Sequence, residues 1–433
     1  VSAGLSHASA LGYRSSALRN DSATVNEEDV RRVFSIAARA LRRPAVVGAA
    51  LLIAGGCLLS VAPRSDAAVS SIDAATLGLL PFALTDAELP SGWTVSATLA
   101  ATNAVVAFAA GSDAQATLAR LQASGRVTGL QQTFLPPRGS AKPPAQLVIQ
   151  LFRDAKTAAD ALTQIAPPDG AETVDDFSMP EIGGARALHA VSNGDAGKSD
   201  TYIIAWSGGS LLFGVTTSGP GADPEVARAI ALTEAARHPS VPAATPDPAT
   251  DARDLGIATA LDAAQLPASA VPATFKRVGA YLWPDAQLDV DARAPDEAAR
   301  RVADLWQRVT GEYQYFEAQD GTRTTLTASY ALFSSNDAAE GALHDDALFL
   351  SVRQAIWTIP PPVQLGDSTV AFHEVILWPR GELRDGYVLQ WRRGRLILSV
   401  TAIVPLQAPM PPYLASVAQA FDAAYLAAQP ALP

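Results

Sequence analysis

Three short segments of this chain occur twice, in the same order and at nearly constant separation. Leu84-Thr85-Asp86-Ala87-Glu88-Leu89-Pro90 returns as Leu261-Asp262-Ala263-Ala264-Gln265-Leu266-Pro267. Arg126-Val127-Thr128-Gly129 returns as Arg308-Val309-Thr310-Gly311. Asp200-Thr201-Tyr202-Ile203-Ile204-Ala205-Trp206 returns as Asp385-Gly386-Tyr387-Val388-Leu389-Gln390-Trp391. The offsets are 177, 182 and 185 residues (84 to 261, 126 to 308, 200 to 385), which describes a tandem duplication with small loop insertions. Both copies must therefore fill one kind of core, and any position where they differ is open to a separate use.

A chain of 433 residues exceeds what one core organises, and its 48% hydrophobic content lets each half bury a core of its own. The expected layout is a polar, basic region over 1–44, an apolar segment over 45–68, a first repeat domain over 69–238, a Pro-rich linker over 239–254 and a second repeat domain over 255–433. Within each copy, helical spacing over Asp113 to Ser124 or Pro295 to Gln307 precedes two alternating stretches. The stretches are Val127 to Phe134 and Gln146 to Phe152, matched by Val309 to Phe316 and Thr325 to Phe333. A capped helix follows in each copy. Alternation then resumes on both sides of Ser207-Gly208-Gly209-Ser210 and of Arg392-Arg393-Gly394-Arg395, which reads as a β-hairpin. Pro224 to Arg237 and Pro412 to Ala428 supply closing helices. Short connections between strands predict an α+β fold: two tandem domains, each an antiparallel sheet with helices packed on one face.

Ala45 to Ala62 carries no charge and follows Arg42-Arg43-Pro44, the pattern of a signal peptide or a membrane anchor. Three processed forms fit: cleavage after Ser65-Asp66-Ala67, retention as an anchor, or lipidation of Cys57, which stands in Ala54-Gly55-Gly56-Cys57. Each places the repeats outside the cytoplasm. Cys57 is the single cysteine, which rules out an internal disulfide and any multi-cysteine metal framework. A net charge of -11 argues against nucleic acid as a partner.

Leu89-Pro90-Ser91-Gly92-Trp93, the Arg-Val-Thr-Gly strand start and the order of elements resemble bacterial secreted proteins and lipoproteins. They are also similar to the extracellular sensor domains of mycobacterial Ser/Thr kinases and to the Mog1/PsbP-like fold. Copy two departs from the pattern, because Leu266-Pro267-Ala268-Ser269-Ala270 lacks the Gly-Trp. The resemblance implies a binding or sensing module and transfers no catalytic residue.

His189 and His373 are the duplicated histidines, each alone in a predicted strand without a nucleophile or an HxH spacing; a structural imidazole is the plainer reading, a base or ligand the sharper one. Trp206 and Trp391, with Tyr202 and Tyr387, project from one face of the hairpin as core aromatics do, although such rows also line pockets. Trp283, Trp306, Trp357 and Trp378 occur in copy two alone, which makes that copy the expected place for a site. Arg392, Arg393 and Arg395 surround a turn that is neutral in copy one, and with Arg380 and Arg384 they offer an anion or lipid-headgroup patch. Asp285, Asp289 and Asp291 lack the ligand spacing of a calcium loop, and no metal or cofactor is expected. The residues thus point to an exported, membrane-associated binding or sensing protein without catalysis, its partner another protein, a small amphipathic or anionic ligand, or a membrane surface. An extracytoplasmic hydrolase and a structural subunit of an envelope complex are the alternatives.

Overall fold

The alternating stretches pair into two antiparallel sheets of seven strands each. The first contains β1 (Thr94–Ala100), β2 (Arg126–Leu135), β3 (Ala145–Phe152), β4 (Thr173–Asp176), β5 (Arg186–Gly194), β6 (Gly197–Gly208) and β7 (Leu211–Gly219). The second contains β8 (Phe275–Pro284), β9 (Arg308–Ala318), β10 (Thr325–Phe333), β11 (Arg353–Ile359), β12 (Ser368–Trp378), β13 (Glu382–Arg393) and β14 (Leu396–Pro405). Their spatial orders are β1-β2-β3-β7-β6-β5-β4 and β8-β9-β10-β14-β13-β12-β11, the same path traced twice. In each hairpin a glycine takes the left-handed conformation at the first central turn position, Gly209 at φ +58° and Gly394 at φ +59°. That placement suits a two-residue turn of the II′ kind, whose twist matches the strands.

The computed structural model describes residues 71–167, 171–194, 197–237, 240–284, 306–344, 353–378 and 382–432. Cys57 and the apolar run at 45–62, Asp285, Asp289, Asp291, Arg380 and all but the last two residues of the helix expected over 295–307 lie outside them. Among the described residues no helix is long and apolar enough to cross a membrane.

The helices are α1 (Ser71–Leu77), α2 (Asn103–Phe108), α3 (Ala114–Ala123), α4 (Ala155–Thr163), α5 (Pro224–Ala235), α6 (Pro248–Asp262), α7 (Asn336–Leu343) and α8 (Leu414–Ala428). Asp154 caps α4 by accepting from the Thr157 amide at 2.7 Å, and Ser335 caps α7 by accepting from Ala338 at 3.1 Å. Gly125, at φ +73°, ends α3. The linker expected over 239–254 stops short of that range. The Asp247 side chain accepts from the Thr250 amide at 3.1 Å and Pro248 opens α6, because proline at a first helical turn sacrifices no hydrogen bond. Leu255, Ile257, Ala258 and Leu261 then bury the helix against its surroundings.

One face of each sheet carries the main core. In copy one, Leu130, Phe134, Leu147, Ile149 and Val215 pack under α1 and α5. In copy two, Phe316, Leu326, Leu389, Trp391 and Val400 meet Val417 and Phe421 of α8. On the opposite face α4 packs Ala158 and Ala161 on Phe152 and Leu212, and α7 packs Ala339, Ala342 and Leu343 on Phe333 and Ile397.

The repeated sequences have identifiable work in this frame. Arg126 is 2% exposed, and its Nη2 donates to the Ala101 carbonyl at 2.6 Å. Arg308 does the same to Trp283, the residue at the matching position, at 2.8 Å. Each guanidinium lies over the glycine three residues on: a Cβ on Gly129 or Gly311 would stand 2.5 Å from Nη2 of its arginine. Arg-x-x-Gly is thus a packing unit, in which the glycine makes the room that the arginine fills. Ser91-Gly92 turns the chain with Gly92 at φ +80° and the Trp93 amide bonded to the Pro90 carbonyl at 2.9 Å, delivering a buried indole to the core. Copy two keeps this turn without the Gly-Trp: the Phe275 amide bonds the Pro272 carbonyl at 2.9 Å, and Phe275 stands at the strand position of Trp93.

Gly129→Ala and Gly311→Ala should each cost about 1–3 kcal/mol, the scale of forced overpacking. Gly214→Ala, where a Cβ meets nothing within 4 Å, should be close to neutral. Urea denaturation of the three variants checks this, and equal midpoints would show that the arginine does not need the glycine.

Candidate functional site between the repeats

Strand alternation sends large apolar side chains to the core face of sheet one and leaves smaller or polar ones on the other. Leu99, Gln131, Val148 and Gly214 are cross-strand neighbours in one row over β1, β2, β3 and β7. Above this floor rise the α2–α3 hairpin with Val105, Val106, Phe108 and Leu121, the α4 end with Ile165, and residues Arg277–Tyr281 of β8 from the other repeat. Together they enclose a cleft of about 830 Å³. Clefts of that size and apolar character are typical of small-molecule sites.

In copy two, large aromatic side chains stand at the described positions that match the floor and rim of this cleft. Trp306, at the position of cleft-lining Ser124, packs against α7 so closely that a Cβ on Gly341 would lie 1.9 Å from its ring. Tyr281 and Tyr313 sit 5.2 Å apart, Trp283 meets Tyr313 edge-on at 6.3 Å, and Arg308 lies 4.7 Å over the Trp283 ring. Copy two spends Trp283 and Trp306 on filling space and contributes a wall to a cleft floored by copy one.

None of Arg392, Arg393, Arg395, His373, Trp391, His189 and Trp206 lines this cleft. Trp391 is fully buried and its Nε1 donates to Asp422 at 2.9 Å; Trp206 is 5% exposed and stacks on Phe213 at 5.0 Å. Arg393 grips the same Asp422 with two hydrogen bonds, of 2.9 and 2.6 Å, and Arg392 pairs with Glu340 at 2.7 Å and Asp367 at 3.3 Å. The turn arginines other than Arg395 thus spend their charge on neighbouring helices and loops, and Arg384 pairs with Glu382. His189 bonds Asp200 at 2.9 Å and stacks on Tyr202 at 4.4 Å; His373 bonds Asp385 at 2.9 Å and stacks on Tyr387 at 4.6 Å. The repeated Asp-x-Tyr segment is the imidazole's holder: aspartate and tyrosine on one strand grasp a histidine on the next. Trp357, half exposed, adds a third ring beside His373.

A buried polar relay ties the two repeats together beside the cleft. Arg126 donates to Asn103 Oδ1 at 2.7 Å and to Gln150 at 2.9 Å, while Asn103 Nδ2 donates to Asp251 of α6 at 2.9 Å. Burial pushes the arginine down to about 10, with the Asp251 charge opposing, so it stays a cation at neutral pH. Burial pushes Asp251 up, against the Asn103 hydrogen bond and Arg126. Ala104, Ala107, Leu255, Ala258 and Leu282 surround the relay with apolar contact between α2, α6 and β8. Sequence alone offered no sign of this relay, since Asn103 and Asp251 are 148 residues apart and belong to no motif.

The wall contributed by copy two has an unusual backing. In copy one, Gln132 accepts from the Leu84 amide at 2.7 Å and donates to its carbonyl at 3.0 Å, and Thr128 bonds Thr76 at 2.6 Å. Among the described residues the matching Gln314 and Thr310 side chains have no hydrogen-bond partner; Ala258, at the position of Thr76, carries no hydroxyl. Between them Glu312 replaces Leu130, fully buried, with neither carboxylate oxygen bonded among the described residues. Burial pushes Glu312 up to about 8, helped by Asp262 and opposed by Arg277, both of which line the cleft.

An acid whose folded pKa is raised holds its proton in the native state after the unfolded chain has released it. Its contribution is intact below the unfolded value of 4.5 and is lost as pH rises to about 8. Glu312→Leu should therefore raise stability at pH 8 more than at pH 5 and flatten the pH slope by at most about 1.4 kcal/mol per unit. Urea melts at pH 5, 6.5 and 8 measure this; an unchanged slope would show that Glu312 is not held neutral.

Comparison of the chain with protein-family models and with curated proteins found no match.

Proposed function

We propose that this chain is an exported binding or sensing protein whose ligand is a small, largely apolar molecule seated between the repeats. The observation that carries the reading is the cleft of about 830 Å³, floored by half-buried Leu99 and Val148 and walled by Val105, Val106 and Phe108. Apolar surface left half exposed at the meeting of two repeats gains free energy when a ligand covers it, at roughly 25 cal/mol per Å² removed from water. Export is supported by the apolar run Ala45 to Ala62 behind its basic flank. The likeness of Leu89 to Trp93 and of the Arg-Val-Thr-Gly strand to secreted sensor modules points the same way.

A hydrolytic role finds less support. Each duplicated imidazole is held by an aspartate and a tyrosine, and among the described residues no serine, threonine or cysteine hydrogen-bonds to His189 or His373. A base without a nucleophile in reach lacks the arrangement that acyl transfer requires.

Binding of the uncharged fluorophore N-phenyl-1-naphthylamine tests the cleft. The native chain should enhance its fluorescence, and Val148→Arg should weaken binding at least ten-fold with an unchanged melting temperature. Val106→Gln, on the α2 wall, gives an independent variant should the floor substitution fail to fold. Undiminished binding by both folded variants would remove the cleft as the ligand site.

A further inference from the structure

The charges around the cleft are not those of the rest of the chain. The protein carries a net charge of -11, yet the cleft is lined by five cations, Arg120, Arg126, Arg153, Lys156 and Arg277, against three carboxylates, Asp154, Asp160 and Asp262. Three of the cations are committed elsewhere. Arg126 is consumed by Asn103, Gln150 and the Ala101 carbonyl. Lys156 pairs with Asp160 at 2.5 Å, and Arg153 lies 3.4 Å from Asp154.

Arg120 and Arg277 remain. Both are exposed at the cleft, and neither has an ion pair among the described residues. Arg120, on α3, donates to Thr117 Oγ1 at 2.9 Å, a neutral contact that orients the guanidinium without neutralising it. Arg277, on β8, feels Asp262 electrostatically, but the two form no hydrogen bond. One cation therefore comes from each repeat.

Resting on the reading of the cleft as a ligand site, we propose that its ligand is an anionic amphiphile. The acid group is held by Arg120 and Arg277, and the apolar chain lies on the Leu99–Val148 floor. Guanidinium groups suit this task, because each presents a planar pair of donors to a carboxylate or phosphate. Asp262 and Asp160, also on the lining, favour a cationic headgroup and oppose the two unpaired arginines, so the sign of the headgroup preference is the decisive readout. The arrangement also joins ligand binding to the contact between repeats, since neither copy supplies both cations.

The test is displacement of N-phenyl-1-naphthylamine from the full-length chain at pH 7.4 by three twelve-carbon competitors: dodecanoate, dodecanol and dodecyltrimethylammonium. Dodecanoate is expected to displace the dye at a concentration at least ten-fold lower than the other two, with the advantage shrinking as salt is raised. Arg120→Gln with Arg277→Gln should abolish that advantage while leaving dodecanol and the dye unaffected; Arg120→Lys with Arg277→Lys should retain most of it. Equal displacement by dodecanoate and dodecanol in the native chain, or a preference that survives the double glutamine variant, overturns acid recognition and leaves the apolar cleft standing. Failure of both Val148→Arg and Val106→Gln to weaken the dye overturns the cleft itself, so the two ideas fail separately.

Discussion

A buried guanidinium organises each half of this molecule. Removing a cation from water is costly unless its donors are all used, so the arginine that opens the second strand of each sheet dictates what surrounds it. It demands a glycine beneath it and a backbone carbonyl at the end of the preceding strand. In copy one it further demands Asn103 and, through Asn103, Asp251 of the other repeat. That chain of requirements explains why Arg-Val-Thr-Gly outlasted the divergence of the copies. It also explains why the contact between repeats has a polar centre inside an apolar ring.

The two copies have used their shared frame in opposite ways. Copy one keeps Gln132 and Thr128 bonded and Leu130 apolar, and leaves its outer face partly uncovered. Copy two sets Trp283, Tyr313 and Trp306 on the outer face and, among the described residues, leaves the side chains of Glu312, Gln314 and Thr310 without hydrogen-bond partners. Helix α6 connects the two differences. It buries Leu255 and Ala258 against copy one, and Ala258 stands where copy one has Thr76, the partner of Thr128. Copy two thus loses polar satisfaction inside while gaining the surface that completes the cleft.

Much of the fold was legible from local pattern. Strands β2, β3, β6 and β7 and their counterparts alternate cleanly, the hairpin glycines announce their turns, and Asp154 and Ser335 mark helix starts. What escaped notice has a common cause. Strands β1, β4, β8 and β11 are edge or near-edge strands of mixed composition, and α6 begins inside a proline-rich stretch whose prolines are compatible with a first helical turn. The site was less legible still. The aromatic surplus of copy two suggested a pocket, yet an aromatic side chain fills a cavity as readily as it lines one, and only neighbouring volume distinguishes the two. The charged turn around Gly394 likewise became a set of ion pairs once α7 and α8 brought Glu340 and Asp422 within reach.

Sequence by itself determined that one unit was duplicated, that each copy is a helix-backed antiparallel sheet, and that Arg126, Gly129, Asp200 and Tyr202 matter to both copies. These are statements about repetition and period, which one dimension records. Tertiary structure alone decided where space remains. Whether a face stays open depends on residues such as Trp306 and Gly341, or Arg120 and Arg277, that lie far apart along the chain and meet only after packing. Volume and unpaired charge are sums over such neighbours, and no local pattern carries them.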